Sequence, residues 1–383
     1  MRRILVVTTS RADYGIYRPV LRAMSTRPQL DVAVIASGAH LLRDHGETIK
    51  MIEADGWPIA ARIELPLADD TAIGASRAAA RALDACAAVI EKDRPDILVV
   101  LGDRYEMHAA ALAALPARVP VAHIHGGEVT VGSFDEALRH GITKLSHLHF
   151  ASTPAAGRRI VQLGEEPWRV MVTGAPGLDA LLAADRLPVT DLTEALGIGW
   201  DPAPVLVSHH PATLGPDEAD ELVAALTGID RPLIVTAPNV DPGGRTLRRR
   251  LEALVAERAG SVLVPNLGDL YPSVLASVAA MVGNSSSGII EAPTFDVPVV
   301  NVGPRQDGRE RAANVIDVPV DRHAIRAGID RALDPTFRAS LRGMTNPYGD
   351  GRASARIVDR LATVDLGDAL IVKRFHDLDA GHQ

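Results

Sequence analysis

The richest candidate site in the sequence is a glycine- and serine-rich stretch at residues 283–288 (GNSSSG), which follows the apolar run 280–282. Backbone N–H groups and hydroxyls at such a strand-to-helix turn suit a diphosphate. The candidate binding residues are therefore Ser285, Ser286, Ser287 and Gly288. Glu291 follows and is able to accept hydrogen bonds from ribose hydroxyls. No Lys follows in the P-loop arrangement, which disfavours ATP hydrolysis. A serine-rich loop with one capping Ser is the alternative.

Acidic residues gather after two apolar runs in the first half of the chain, at Asp103, Glu128, Asp135 and Glu136. Neighbouring carboxylates raise one another's pKa, which is how proton-transfer groups are tuned near neutral pH. The sequence leaves open whether Asp135 or Glu136 points inward. It also leaves open whether Asp103 and Arg104 serve a substrate or form a local ion pair at the start of the next helix.

Two other motifs also have alternative interpretations. Arg11 lies in the stretch Thr-Ser-Arg-Ala-Asp, and hydroxyl and basic residues at a helix N-terminus suit an anion. Ser10 or Asp13 as a simple helix cap explains the same residues. His123 and His125 alternate along a predicted strand and would share one face, which suggests a metal. Because no HxxE or Cys spacing accompanies them, we expect no metal site. We interpret His147 and His149 as the end of a helix.

Short apolar runs alternate with helical patterns along the whole chain, which is typical of doubly wound α/β domains. The predicted strands are residues 4–7, 32–36, 97–100, 119–124 and 170–172, then 205–207, 233–235, 262–264, 280–282 and 297–300. A polar stretch follows about residue 174, where we place the domain boundary, and the alternation restarts at residue 205, which predicts two domains joined by a linker. Ligands bind outside the carboxyl ends of parallel strands. We therefore expect a cleft between the domains, lined by the candidate residues above.

The composition excludes several classes of function. A formal net charge of −8 disfavours nucleic acid or an anionic membrane as the partner, and 3% aromatic residues leave few stacking surfaces. The single cysteine, Cys86, lies in an Ala-rich helical pattern and is expected to be a buried thiol rather than a nucleophile. No signal peptide or 18-residue apolar stretch is present, so we expect a cytoplasmic protein.

At these motifs the chain resembles the hydrolysing UDP-N-acetylglucosamine 2-epimerases of bacterial sialic acid and related nonulosonic (legionaminic) acid biosynthesis. The similar segments are SRADYG at 10–15, LGDRYE at 101–106, HIHGGE at 123–128, DEALRHGITKLSHLHF at 135–150, HHP at 209–211, PN at 238–239, GNSSSGIIEAP at 283–293, GPRQDGR at 303–309 and NPY at 346–348. They occur in the same order over nearly the whole chain.

The resemblance implies two Rossmann-like domains of the glycosyltransferase-B type. Their expected bounds are 1–173 for the acid–base domain, 174–350 for the UDP-binding domain, and 351–383 for a C-terminal helix that crosses back to the first domain. It also implies roles for individual residues. The implied acid–base groups are Asp103, Glu128 and Asp135; the implied phosphate contacts are Arg11, His210, Ser285, Ser286 and Arg305; the implied nucleoside contacts are Asn239 and Glu291.

The implied reaction converts a UDP-2-acetamido hexose to UDP and the free 2-epimer through a 2-acetamidoglucal. The substrate is UDP-N-acetylglucosamine or UDP-N,N'-diacetylbacillosamine, and the resemblance does not choose between them. No cofactor is required, and the family suggests a dimer or tetramer. The alternatives are a non-hydrolysing 2-epimerase and a glycosyltransferase of the same fold. A non-catalytic sugar-nucleotide sensor would not need the first-half carboxylates.

Overall fold

The structure is a computed structural model that describes residues 1–43, 46–67, 71–130, 134–210, 219–238 and 244–378. The chain divides into two compact units, one formed by Met1–Ala180 with Tyr348–Gln383 and the other by Leu181–Pro347. None of the helices in these described ranges is long and apolar enough to cross a membrane. Each unit is built around one parallel sheet.

The first unit contains a seven-stranded parallel sheet in the order β3-β2-β1-β4-β5-β6-β7. Its strands are β1 (Arg2–Thr8), β2 (Leu30–Ser37), β3 (Ile59–Ile63), β4 (Ile97–Leu101), β5 (Val121–Ile124), β6 (Leu148–Ala151) and β7 (Val170–Val172). The helices that follow them are α1 (Arg11–Ser25), α2 (Ile49–Ala54), α3 (Ala72–Asp93), α4 (Tyr105–Ala114), α5 (Asp135–Leu145), α6 (Pro154–Gln162) and α7 (Gly177–Ala183). Continuous apolar strands such as β1 are buried on both faces, as parallel sheets require.

The segment that follows the second unit belongs to the first. Helix α15 (Ala353–Thr363) packs against α1, and Arg2 Nη1 donates to the Leu361 carbonyl at 2.8 Å. Beyond it, α16 (Asp368–Ile371) is held by the buried Arg169, which donates to the Leu370 carbonyl at 2.7 Å and the Ala369 carbonyl at 2.8 Å. Guanidinium donors on free carbonyls thus fix this segment to the first domain.

The second unit contains a six-stranded parallel sheet in the order β10-β9-β8-β11-β12-β13. Its strands are β8 (Val205–Ser208), β9 (Leu233–Thr236), β10 (Val262–Val264), β11 (Ala280–Gly283), β12 (Val299–Val302) and β13 (Val315–Val318). Its helices are α8 (Val189–Leu196), α9 (Ala219–Thr227), α10 (Gly244–Ala256), α11 (Tyr271–Ser277), α12 (Ser286–Ile290), α13 (Arg322–Leu333) and α14 (Pro335–Ser340). The chain also forms short 3-10 helices at Gly38–Leu41, Pro167–Arg169, Gly268–Leu270, Ala292–Phe295 and Pro304–Gln306.

Both sheets reverse direction of winding at their centres, between β1 and β4 in the first and between β8 and β11 in the second. The predicted architecture of two doubly wound α/β domains is therefore confirmed. In such sheets the reversal point opens a crevice at the carboxyl ends of the strands, where ligands bind. Functional side chains are consequently expected in the loops after β1, β4, β8 and β11.

Three strands lie outside the predicted set, and one helix was predicted too long. β3 and β13 are edge strands whose partly exposed residues lack a long apolar run. β6 falls where we predicted a helix end, because α5 stops at Leu145 and His149 is a buried strand residue. The His149 ring lies 3.0 Å from Glu165 Oε2, and this partner allows a polar side chain inside the sheet.

Cys86 is buried in α3, as predicted, and burial raises the pKa of its thiol to about 12.

Candidate functional site

The turn after β11 is tied to the turn after β8, the two strands that flank the reversal point of the second sheet. Gly283 adopts a φ of +139°, and a Cβ at this position would lie 2.0 Å from the Ser208 carbonyl oxygen. Only glycine permits so close an approach. Asn284 then forms two 2.8 Å hydrogen bonds with the backbone of His210, one through Oδ1 and one through Nδ2. The two strand-end turns therefore form one rigid platform.

The predicted diphosphate turn lies on this platform. Ser285 is the N-cap of α12, and its hydroxyl accepts from the Ser287 N–H at 3.4 Å. Ser285, Ser286 and Ser287 are all partly buried, with hydroxyls and N–H groups gathered at one helix start. Gly288 is buried, and a Cβ there would meet Val299 Cγ1 at 2.8 Å. Gly288 thus brings α12 close to β12, in addition to any contact with a ligand.

Two basic side chains predicted to contact phosphate lie at the same edge of the second sheet. His210 directly follows the end of β8, and its backbone is held by Asn284. Arg305 is exposed in the loop after β12, and its Nη1 donates to the Asn284 carbonyl at 3.2 Å. Asn239, the predicted nucleoside contact, lies outside the described residues. The described part of the platform therefore combines hydroxyl, imidazole and guanidinium donors, which suits a diphosphate.

Glu291, the other predicted nucleoside contact, is held by a tyrosine. The Tyr271 hydroxyl donates to Glu291 Oε2 at 2.6 Å. Burial raises the pKa of Glu291, and the hydrogen bond from Tyr271 opposes that shift. Burial and the adjacent carboxylate in turn hold the pKa of Tyr271 well above its usual value. The tyrosine therefore orients the carboxylate and favours its ionised, hydrogen-bond-accepting form.

In the first unit, a buried arginine joins two of the predicted carboxylates. Arg139, on α5, is 3% exposed and forms an ion pair with Asp103, which follows β4. Its Nη1 also lies 3.3 Å from Glu136 Oε2, and the same oxygen accepts from the Thr130 N–H at 2.7 Å. Asp135 is partly buried in the first turn of α5. The arginine fixes the position of Asp103 and places a buried positive charge next to it.

Glu128 belongs to a second cluster, at the ends of β5 and β6. Glu128 Oε1 lies 2.5 Å from His125 Nδ1 and accepts from the Ser152 hydroxyl at 2.7 Å. The packing of the domain requires the glycine directly before it: Gly127 has a φ of +73°, and a Cβ there would meet the Ala156 carbonyl oxygen at 2.3 Å. The close approach of α6 therefore presents Glu128 at the sheet edge.

The prediction that His123 and His125 share one strand face is wrong. β5 ends at Ile124, and His125 adopts a φ of +63°, which turns it off the strand. His123 is buried, its Nε2 lies 2.7 Å from the Gly102 carbonyl oxygen, and burial lowers its pKa to about 3. Among the described residues, no three His, Cys, Asp or Glu side chains are grouped as metal ligands.

The arginines of the first-unit motifs have different surroundings. Arg104 pairs with Glu106 at 2.9 Å, so the local ion pair of this motif is formed by Arg104 and Glu106, whereas Asp103 pairs with Arg139. Arg11 is exposed in the first turn of α1. Asp13, in contrast, is buried and accepts from the Thr9 and Ser10 N–H groups at 2.8 Å, which makes it part of a capping box.

Sequence reasoning missed several residues that the structure places at these sites, namely Arg139, Ser152, Tyr271 and Asn284, and it considered His125 only as a possible metal ligand. His125, Arg139 and Asn284 fall inside the motifs that carry the resemblance, so their positions were available as a signal. Ser152 and Tyr271 lie outside every motif. Their contacts span 24 and 20 residues of chain, and only the folded sheet brings them to Glu128 and Glu291.

Comparison with known proteins places this arrangement in one family. Residues 22–362 match the family model described as UDP-N-acetylglucosamine 2-epimerase. UDP-N,N'-diacetylbacillosamine 2-epimerase (hydrolyzing) of Legionella pneumophila is 35% identical over 97% of this chain and 99% of its own length. GDP/UDP-N,N'-diacetylbacillosamine 2-epimerase (hydrolyzing) of Campylobacter jejuni is 35% identical over 84% of this chain and 85% of its own length.

A solved structure supports the fold independently. The crystal structure of UDP-GlcNAc 2-epimerase from Neisseria meningitidis bound to UDP-GlcNAc superposes with a TM-score of 0.77 at 19% identity, covering 94% of this chain and 99% of that chain. At this identity the likeness concerns the fold, which is the predicted glycosyltransferase-B type. The match of the family model over most of the chain and the two 35% identical relatives together confirm the predicted resemblance, and the chain belongs to the UDP-N-acetylglucosamine 2-epimerase family.

Proposed function

We propose that this protein is a hydrolysing 2-epimerase that converts a UDP-2-acetamido hexose to UDP and the free 2-epimer. The observation that carries the proposal is the separation of two kinds of chemistry at strand ends. The second unit gathers hydroxyl, imidazole and guanidinium donors around Asn284, which suit a diphosphate leaving group. The first unit gathers ionisable groups around Arg139 and Glu128, which suit proton transfer. Family membership and the names of the two relatives support the same reaction.

In the proposed mechanism the reaction proceeds in two halves. A base removes the C2 proton, the C2–H electron pair forms a C1=C2 double bond, and the C1–O pair leaves with UDP. Water then adds its oxygen to C1 and gives one proton to a base, while an acid returns a proton to C2 on the opposite face. We assign the acid–base work to Asp103, Glu128 and Asp135. Positioned proton transfer of this kind contributes about 10²–10⁴-fold.

We assign UDP binding to the second unit, with support from Arg11 and Arg104. His210, Ser285, Ser286 and Arg305 would neutralise the departing diphosphate, and Ser287 and Gly288 would add donors from the same turn. Asn239 and Glu291 would bind the nucleoside. Charge stabilisation of a leaving group by fixed donors is usually the largest single contribution to such a reaction.

The substrate is proposed to be UDP-N,N'-diacetylbacillosamine or UDP-N-acetylglucosamine. The names of the Legionella and Campylobacter relatives favour the former, which would place the product on a legionaminic-acid type of route, and the family description favours the latter. The composition fits a cytoplasmic enzyme, and we propose a homodimer or homotetramer, which sedimentation would measure.

The decisive experiment incubates the purified protein with each UDP-sugar in deuterated water and follows the products by NMR. The expected products are UDP and a free 2-epimer that carries deuterium at C2. A product without deuterium at C2 would contradict the elimination, and a UDP-bound epimer would indicate the non-hydrolysing reaction. Sugar transfer that requires an added acceptor would indicate a glycosyltransferase.

Two variants test the division of labour. Asp103→Asn and Glu128→Gln should each bind UDP normally by calorimetry and turn over at least about 10²-fold more slowly. Near-normal turnover in either variant would refute the role of that carboxylate.

A further inference from the structure

His125 has three features that the proposed roles leave unexplained. Its backbone φ of +63° is uncommon for a residue other than glycine. Its Nδ1 lies 2.5 Å from Glu128 Oε1. Its Nε2 is buried and has no hydrogen-bond partner among the residues that the structure describes. A buried imidazole nitrogen without a partner is unfavourable, and a ligand group would remove that cost.

The position of His125 is fixed by three neighbouring strands. It follows Ile124, whose carbonyl accepts from the Gly102 N–H at 2.9 Å, so His125 and Asp103 leave adjacent strands at the same level. The His125 N–H donates to the Phe150 carbonyl of β6 at 3.1 Å. His125 therefore lies at the carboxyl edge of the sheet, where ligands of such folds bind.

The contact with Glu128 determines which nitrogen is free. A carboxylate accepts a hydrogen bond, so Nδ1 carries the proton and Nε2 keeps its lone pair. Ser152 donates to the same Glu128 oxygen at 2.7 Å and holds the carboxylate in place. A carboxylate behind an imidazole orients the ring and stabilises the imidazolium that forms when the ring accepts a proton.

We propose that His125 is a further catalytic residue, the base that removes the C2 proton through Nε2, with Glu128 as its positioning carboxylate. The inference rests on the proposed function. In the elimination half-reaction the C2 proton moves to Nε2, the C2–H pair becomes the C1=C2 double bond, and the C1–O pair leaves with UDP. Glu128 then acts through His125 rather than on the sugar, and its negative charge balances the imidazolium.

Two titratable side chains of the described residues interact with His125. Glu128 contacts it directly, and His123 interacts with it from β5. Burial lowers the pKa of His123 to about 3, so His123 stays neutral over the range in which enzymes of this kind are assayed. A low-pH limb in the pH profile of kcat that disappears when His125 is replaced would therefore be assigned to the His125–Glu128 pair.

The first test uses His125→Asn, measured for kcat as a function of pH and for UDP affinity. Asn tolerates positive φ and keeps a donor at the position of Nδ1, so the variant removes Nε2 without new backbone strain. We expect unchanged UDP affinity, kcat at least about 10²-fold lower, and loss of the low-pH limb. The exposed His323 provides the control, since His323→Asn should keep full turnover.

A second variant separates chemistry from folding. His125→Gly also fits the backbone, and added imidazole should restore part of its turnover in a concentration-dependent way. Glu128→Gln should move the low-pH limb to lower pH, because the imidazolium loses its negative partner. Turnover of His125→Asn within about threefold of wild type, or a persistent low-pH limb in that variant, would overturn the proposal. Failure of the wild-type protein to place deuterium at C2 would instead refute the proposed function itself.

Discussion

The Asn284 side chain forms two hydrogen bonds with the backbone of His210: Oδ1 accepts from its N–H and Nδ2 donates to its carbonyl, each at 2.8 Å. This pair joins the loops after β8 and β11, the two strands at the reversal point of the second sheet. The Asn284 carbonyl in turn accepts from Gln306 Nε2 at 2.8 Å, which adds the loop after β12. Asn284 thus connects the loops that follow β8, β11 and β12 through hydrogen bonds.

Asn284→Ala should therefore weaken UDP binding by at least about tenfold, which corresponds to about 1.4 kcal/mol. The loss of both hydrogen bonds frees the His210 backbone and the loops that carry the proposed diphosphate donors. Isothermal titration calorimetry with UDP measures the effect. The control residue is Asn314, which is buried and directly precedes β13, at the amino ends of the strands. Its side chain donates to the Val297 carbonyl. Asn314→Ala should lower the melting temperature while keeping UDP affinity, and an equal loss of affinity would refute the assignment.

Arg139→Met should reduce kcat by at least about 10²-fold with little change in UDP affinity. The substitution removes the positive charge that holds Asp103 and Glu136, and leaves two carboxylates without their shared partner. Steady-state kinetics and calorimetry on the same preparation measure both quantities. Arg326→Met removes an exposed ion pair with Asp330 and is the matched control. Full activity of Arg139→Met would mean that Asp103 needs no arginine to function.

Tyr271→Phe should make sugar-nucleotide binding more sensitive to acid. The tyrosine hydroxyl opposes the burial that raises the pKa of Glu291, so its removal raises that pKa further. A protonated Glu291 accepts fewer hydrogen bonds, so affinity should fall as pH decreases, and the midpoint of that fall should lie at higher pH in the variant. Binding of UDP-N-acetylglucosamine to an Asp103→Asn background avoids turnover. Identical midpoints with and without the tyrosine hydroxyl would contradict this.

Gly283→Ala should prevent the second domain from folding. Its Cβ would have to lie 2.0 Å from the Ser208 carbonyl oxygen, which is a backbone atom and has no room to move without separating β8 from β11. We expect little soluble protein, or a large fall in melting temperature by circular dichroism. A Cβ added at Gly199 would meet no atom within 4 Å, so Gly199→Ala is the control and should leave the melting temperature nearly unchanged. Equal behaviour of the two variants would be the contrary result.

Acid should destabilise the first domain from about pH 6.5 downward. Burial lowers the pKa of His123 to about 3 and that of His147 to about 4, from an ordinary value of 6.5. In this window the unfolded chain binds protons that the folded chain does not, so the free energy of unfolding falls by about 1.4 kcal/mol per pH unit for each such group. The Glu165 carboxyl is also buried, but its partners hold its pKa at about 2, and its contribution is lost only below about pH 4.5.

Urea unfolding followed by circular dichroism between pH 7 and pH 5 therefore isolates the histidines. His123→Gln should show a smaller loss of stability across this range than the wild type. An unchanged pH dependence would mean that His123 is solvated or already protonated in the folded protein.

The sequence was sufficient for the central strands and for the motifs at their ends, because burial on both faces demands uninterrupted apolar runs such as β1 and β4. It was insufficient for β6, since a four-residue strand that contains His149 shows no such run. The compensating Glu165 lies 16 residues away and becomes visible only in the fold.

The candidate site was predictable to the level of loops and not to the level of contacts. The pattern of acids indicated Asp103 and Glu128 but not their partners, because Arg139 reaches Asp103 across 36 residues of chain. His125 leaves the direction of β5 because its backbone φ is positive, and no sequence pattern predicts a positive φ for a histidine. The same limit explains why His123 and His125 were predicted to share one strand face, although His125 lies beyond the end of β5.

The first domain is assembled from two separate stretches of chain, with the whole second domain encoded between them. On the ribosome, residues 1–180 must therefore wait for α15 and α16 to emerge, whereas the second domain is contiguous and able to fold while synthesis continues. Arg169 and Glu165 would stay exposed to chaperones during that interval, until the carbonyls of α16 and the Lys373 ammonium arrive. A nascent chain stalled before Tyr348 would carry a complete second domain and an incomplete first one.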